Sequence, residues 1–178
     1  MKIFLSGAQG TGKSTINKIL IKKLPGYKLL DSLSGKFAKS KEDFKDFSKL
    51  KLFQTRVSLY CFSEYLDPKS FISSRSFADA YAYNKYEYKK YMDLRFKTLM
   101  DLSLELVKDL PDDCLHIYVP SGEFKVEETY IRSGNSEFQE AIDKLILEFY
   151  EVSGVKYHRL ESLSIEDRVQ EILSLIKD

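Results

Sequence analysis

Residues 3 to 14 read Ile-Phe-Leu-Ser-Gly-Ala-Gln-Gly-Thr-Gly-Lys-Ser, and no other stretch restricts the fold as tightly. Ile3 to Leu5 form an apolar run, stopped by Ser6 and Gly7. Such a run predicts a strand buried on both faces, as in a parallel sheet. From Ser14 onward Ile16, Ile19, Leu20 and Leu24 recur at helical spacing until Pro25-Gly26 ends the pattern. A glycine-rich turn therefore joins a buried strand to a helix. Gly7, Gly10 and Gly12 allow the backbone to wrap closely around an anion. Loop N–H groups and the positive end of the helix then converge on it. The stretch from Gly7 to Ser14 satisfies G-x-x-x-x-G-K-[ST] without a mismatch. That pattern predicts a nucleoside triphosphate site, with ATP and Mg²⁺ as the expected occupants. Gly7, Ala8, Gln9, Gly10, Thr11, Gly12, Lys13, Ser14 and Thr15 would surround the phosphates. Lys13 would act as the point charge on the β- and γ-phosphates, and the Ser14 hydroxyl would ligate Mg²⁺.

The rest of the chain alternates strand and helix. Tyr27–Leu30, Phe71–Ile72, Leu115–Val119 and Val155–Leu160 read as further strands. Helical patterns cover Lys41–Tyr65, Asp79–Leu110 in one or two pieces, a segment around Phe138–Phe149, and the last residues from Ile165. Ser164 and Asp167 resemble a capping box for that last helix. Alternation of this kind, with the phosphate loop after its first strand, predicts an α/β three-layer P-loop NTPase fold, with about five parallel strands and helices on both faces. One domain over residues 1–178 is expected, since 178 residues is an ordinary single-domain length.

Other function classes recede on composition. Twenty-eight basic residues oppose 27 acidic ones, so no global field steers the chain to nucleic acid or a membrane. Hydrophobic content of 43% and charged content of 31% exclude disorder. Cys61 and Cys114 are too few to staple a chain of this size, and they read as thiols in a reducing compartment. Neither His116 nor His158 lies at metal-ligand spacing from a cysteine. No apolar run reaches the roughly 18 residues of a membrane span. A soluble cytoplasmic protein is expected. No guanine-reading N-K-x-D occurs, and the fourth strand ends Tyr118-Val119-Pro120 rather than in the acidic pair of a motor ATPase. A small kinase is the remaining economical reading.

On these residues the chain resembles the small P-loop kinases of the nucleoside and nucleotide kinase group. That group includes thymidylate kinase, the deoxynucleoside kinases and the nicotinamide riboside kinase-like ATPases common in phages. The resemblance implies ATP-dependent transfer of the γ-phosphoryl group to a nucleoside, nucleotide or related acceptor. It also implies roles for particular residues. Ser74-Arg75-Ser76, followed by Asp79 and Tyr83, is similar to the group's Asp-Arg or Glu-Arg-Ser landmark after the third strand. Arg75 would then hold phosphates, as its planar fork suits. Ser74 stands where the group has a carboxylate, and Asp79 is the replacement one turn later, for substrate or Mg²⁺. Asp31, ending the second strand, would accept the proton of the attacking hydroxyl. The resemblance also implies a short lid, at about 121–136, in which Arg132, with Lys125 as a second candidate, would be the cation that neutralises developing charge while the lid excludes water. Gln54, on the helix after the second strand, would read a base edge. Phe47, Phe53 and Tyr60 suit either stacking on a base or core packing.

Two alternatives stay open. Tyr81, Tyr83, Tyr86, Tyr88 and Tyr91 interleave with Lys85, Lys89, Lys90 and Arg95. Such a strip suits single-stranded nucleic acid, and hence a polynucleotide or modified-base kinase. It equally suits a helix with half-buried tyrosines. The missing carboxylate at Ser74 suits a nucleotide-switched binding module that transfers nothing.

Overall fold

The structure is a computed structural model and describes residues 1–30, 37, 42–121, 136–162 and 164–177. Five strands form one sheet: β1 (Lys2–Ser6), β2 (Lys28–Leu30), β3 (Phe71–Ser73), β4 (Leu115–Tyr118) and β5 (His158–Arg159). Their order is β2-β3-β1-β4-β5 and every pairing is parallel. Adjacent strands on either side of β1 are each reached by a helical crossover, the arrangement that parallel pairing requires. The helices are α1 (Lys13–Lys23), α2 (Glu42–Lys45), α3 (Phe47–Leu66), α4 (Phe77–Tyr91), α5 (Leu94–Leu106), α6 (Ser136–Ser153) and α7 (Ile165–Lys177).

Alternation along β1 divides the core. Ile3 and Leu5 join Ile16, Leu20, Val169 and Ile172 under α1 and α7. Phe4 points the other way, into a cluster with Tyr65, Phe71, Phe77 and Phe149 beneath α3, α4 and α6. The phenylalanine and tyrosine excess is concentrated on this second face. Phe4 makes edge contacts with Tyr65 at 5.0 Å and Phe71 at 5.3 Å, and stacks on His116 at 5.0 Å.

Local chemistry explains where the helices break. Asp46 interrupts the segment expected to run from Lys41 to Tyr65, because its carboxylate accepts the Lys49 N–H at 2.9 Å and starts α3. Met92 takes a left-handed backbone, φ 53°, and Asp93 then caps α5 through the Arg95 N–H. The Tyr- and Lys-rich segment is therefore two helices. The fifth strand is shorter than Val155–Leu160. It meets β4 only where His158 pairs with Ile117 and Arg159 with Tyr118, with Leu160 N–H adding a bond to Tyr118 O.

Candidate active site

The carboxyl ends of β1, β3 and β4 meet at one edge of the sheet, where a crossover sheet of this kind places its ligands. Gly7 to Ser14 leave β1 there and enter α1. Gly10 and Gly12 hold φ values of 84° and 88°, a region side chains disfavour. At Gly7 the limit is space: a Cβ would lie 2.3 Å from Val119 O. Lys13 curls back over the loop, donating to Gly7 O at 2.6 Å, Ala8 O at 2.7 Å and Thr11 Oγ1 at 3.2 Å. Its ammonium is thus fixed above the anion nest before any ligand arrives. Ser14 stands half-buried in the first turn of α1, and Thr15 is exposed.

Three helices brace the loop. From α6, Asp143 Oδ1 accepts the Ala8 N–H at 3.1 Å and Gln139 Nε2 donates to Gln9 O at 2.9 Å. Asp143 also accepts the Ser121 hydroxyl. Tyr150 OH, lower on α6, shares a hydrogen bond of 2.8 Å with Ser6 Oγ. From α7, the buried Arg168 donates to Thr11 O at 3.1 Å and to Ser162 O at 2.8 Å. Glu171, one turn on, accepts His158 Nε2 at 2.7 Å, the Ser162 hydroxyl at 2.7 Å and two backbone N–H groups. Burial opposes ionisation of Glu171, but these donors outweigh it and take its pKa down to about 2.

The third brace starts at α4. Ser76 caps that helix and its hydroxyl lies 2.6 Å from Ser6 Oγ. Asp79 closes the capping box, accepting from Ser76 N at 2.9 Å and Ser76 Oγ at 3.0 Å, and its other oxygen faces the Gly7 N–H at 3.4 Å. Burial raises the Asp79 pKa, while Lys13, Arg75 and the Ser76 bonds hold it back. Arg75 lies with its guanidinium 5.1 Å above the Tyr83 ring. Tyr83 in turn takes a hydrogen bond from the Gln9 backbone N–H, and burial lifts its pKa to about 12.

The structure therefore brings Lys13, Ser14, Arg75 and Asp79 around one loop. Gln54 is placed further out, buried on the α3 face that also carries Ser58 and Cys61. A small cleft of about 90 Å³ lies between that helix and the sheet, with Arg75, Ser73, Leu30, Tyr60 and Cys61 in its walls. Asp31, Lys125 and Arg132 fall outside the described residues, as does the lid apart from Ser121 and Ser136. Phe53 packs edge-on to Phe44 at 5.0 Å and Phe47 meets Tyr91 at 4.5 Å, so both serve packing. In the aromatic strip, Tyr81 is buried and donates to Glu148 at 2.8 Å, while Tyr83 and Tyr86 pack against Phe138.

Sequence reading missed the braces. Arg168 carried the clearest signal, since it falls on the apolar stripe of α7 between Ile165, Val169 and Ile172. Gln139 and Asp143 are one turn apart on α6, a spacing too common to stand out. Among the described residues, no cluster of three or more His, Cys, Asp or Glu is arranged to hold a metal ion. No helix among them is long and apolar enough to cross a membrane.

No protein-family model matches the chain, and no curated protein matches it in sequence. Solved structures do. Deoxyadenosine kinase from M. mycoides with bound dCTP is 21% identical over 99% of both chains, with a TM-score of 0.72. Thymidylate kinase from Candida albicans is 18% identical over 99% of this chain and 90% of its own, with a TM-score of 0.57. Shikimate kinase from Acinetobacter baumannii, in complex with shikimate, is 19% identical over 99% and 92%, also at 0.57. The parallel five-stranded sheet, the loop it carries and these likenesses give one conclusion: the chain has the α/β three-layer fold of the P-loop kinases.

Proposed function

We propose that the protein is an ATP-dependent kinase that transfers the γ-phosphoryl group to a nucleoside or nucleotide. One observation carries the reading. A preorganised phosphate loop, with Lys13 locked over it, faces the half-buried Arg75 across Asp79. Phosphoryl transfer needs that arrangement, because catalysis there is mostly positioning plus stabilisation of charge on the transferred group. The loop amides and Lys13 hold the β- and γ-phosphates. Arg75 meets the transferred group or the acceptor, its charge sustained against burial by Tyr83 and Asp79. The Ser14 hydroxyl suits Mg²⁺, which takes one or two protein oxygens and keeps several waters. Asp79, both of whose oxygens already face donors on Ser76 and Gly7, would supply negative charge toward the ion rather than a direct ligand. When bound, Mg²⁺ neutralises phosphate charge. Asp31 orients the attacking hydroxyl and Arg132 covers the donor phosphates.

The likeness to deoxyadenosine kinase and thymidylate kinase supports a nucleoside or nucleotide acceptor, with shikimate kinase marking how widely acceptors vary on this fold. A screen of γ-labelled ATP against nucleosides, nucleotides and single-stranded oligonucleotides tests the reading. Labelled nucleoside or nucleotide is the expected product. Labelled oligonucleotide would shift the assignment to a polynucleotide kinase. Tight ATP binding that yields only free phosphate, or nothing, would replace it with a nucleotide-switched module.

A further inference from the structure

Helix α3 carries apolar residues on two faces. The inner face is spent on the core, where Leu50, Phe53, Val57, Cys61 and Tyr65 are buried. The outer face carries Leu52, Leu59 and Leu66, each 42–49% exposed. Their spacing is seven residues, about two helical turns, so they form one line about 21 Å long. The turn between α4 and α5 lies beside the N-terminal half of α3, since Lys51 pairs with Asp93 at 2.8 Å and Phe47 meets Tyr91 at 4.5 Å. That turn carries Met92 and Leu94, which are 67% and 71% exposed. Among the described residues, seven large hydrophobic side chains are exposed, and five of them lie on or beside α3. Single exposed apolar residues need no cause, but an aligned set marks a contact surface.

We propose that this line is the seam between two copies of the chain, paired antiparallel about a twofold axis at Leu59. Leu59 is midway between Leu52 and Leu66. Under such an axis Leu59 meets Leu59 of the second copy, and Leu52 meets Leu66 of the second copy. That second Leu66 also comes level with the Met92–Leu94 turn, so the apolar contact widens at both ends of the seam.

Charge selects a second copy as the occupant, and it selects the direction. Beside the leucines the N-terminal half of α3 is basic, with Lys45, Lys49 and Arg56 exposed, and Asp46 turned back onto the Lys49 N–H. The C-terminal end is capped by the acidic Asp67. Lys49 and Asp67 are 18 residues apart in the sequence, or about five whole turns, so both stand on the same flank of the leucine line. The twofold axis therefore brings Lys49 of each copy to within about one turn of Asp67 of the other. Parallel pairing would instead set Lys49 on Lys49 and Arg56 on Arg56, a like-charge arrangement. Antiparallel pairing also opposes the two helix dipoles. The surface is thus complementary to its own reverse, apolar to apolar and basic to acidic.

Sedimentation velocity on the full chain tests this, over about 1 to 200 µM. A species of twice the chain mass should prevail above about 50 µM, as suits an interface of modest size. Leu59→Asp sets two carboxylates against each other on the axis and should weaken the dimer about 100-fold or more. Its circular dichroism and urea midpoint should match the parent's, because Leu59 lies outside the core. Lys49→Glu should weaken the dimer about threefold or more, and adding Asp67→Lys should bring it back to within about twofold of the parent. A monomer at every concentration overturns the proposal and leaves the leucine line to a different partner. A dimer indifferent to Leu59→Asp overturns it by placing the interface on another face. A double variant no better than Lys49→Glu alone overturns the antiparallel pairing.

Discussion

At the residue scale the phosphate loop has almost no tolerance. An alanine methyl at position 7 would sit 2.3 Å from Val119 O, in a residue whose N–H is anchored on Ser6 O at 2.7 Å. Gly7→Ala should cost about 2–3 kcal/mol of stability, seen as a lower urea midpoint, and should abolish ATP binding by calorimetry. Retention of ATP affinity would show that the loop yields where the contacts say it cannot. Lys13→Ala should lower kcat/KM by about 100-fold or more, because it removes the fixed positive charge facing the transferred group. Lys13→Arg should not restore it: the planar fork cannot reproduce an ammonium seated on Gly7 O and Ala8 O.

At the element scale the loop is a shared object, gripped by α4, α6 and α7. Arg168→Met removes the tether to Thr11 O while keeping a long side chain in the helix–loop contact. The expected result is an ATP KM raised about tenfold with kcat little changed, read from initial rates at saturating acceptor. A fall in kcat with unchanged KM would assign Arg168 to the chemical step instead. Asp143→Ala should act in the same direction through the Ala8 N–H. These braces also mark where sequence reading stops. β1, the loop and α1 are legible because apolar run, glycines and helical spacing coincide in 24 consecutive residues. β1, β3 and β4 are legible because buried parallel strands are short and apolar, whereas the half-exposed β5 is read too long, at Val155–Leu160. The grip on the loop is not, because Gln139, Asp143 and Arg168 owe their roles to helix packing, which no local pattern encodes. Tyrosine-rich α4 misleads for a related reason. Its aromatic and basic residues look like a surface strip, but Tyr81 and Lys85 are held by Glu148 on α6.

For the whole molecule, the two core faces respond differently to acid. His116 is buried against Phe4 on the aromatic face, its Nδ1 without a partner, and desolvation lowers its pKa to about 4. Below pH 6.5 the unfolded chain binds a proton there that the folded chain refuses. Stability is therefore withdrawn as pH falls from 6.5 to about 4, by about 3 kcal/mol in total. His116→Leu should flatten that part of the profile, measured as urea midpoints at pH 7.5 and 5. A profile as steep as the parent's would place the acid sensitivity elsewhere. Glu171 acts only in stronger acid, since its carboxylate supports the fold down to about pH 4.5 and loses that support toward pH 2. The braces on the phosphate loop have a further consequence in time. Those from α6 and α7 join residues 130 to 157 positions apart, so the loop, although made first, is completed by helices made last. At a synthesis rate of about 5–20 residues per second, a nascent chain carries the loop without those two braces for roughly 7 to 30 seconds. On the proposed reading, nucleotide capture would then be a late event open only to the finished fold, and the bound nucleotide would seal that fold rather than seed it.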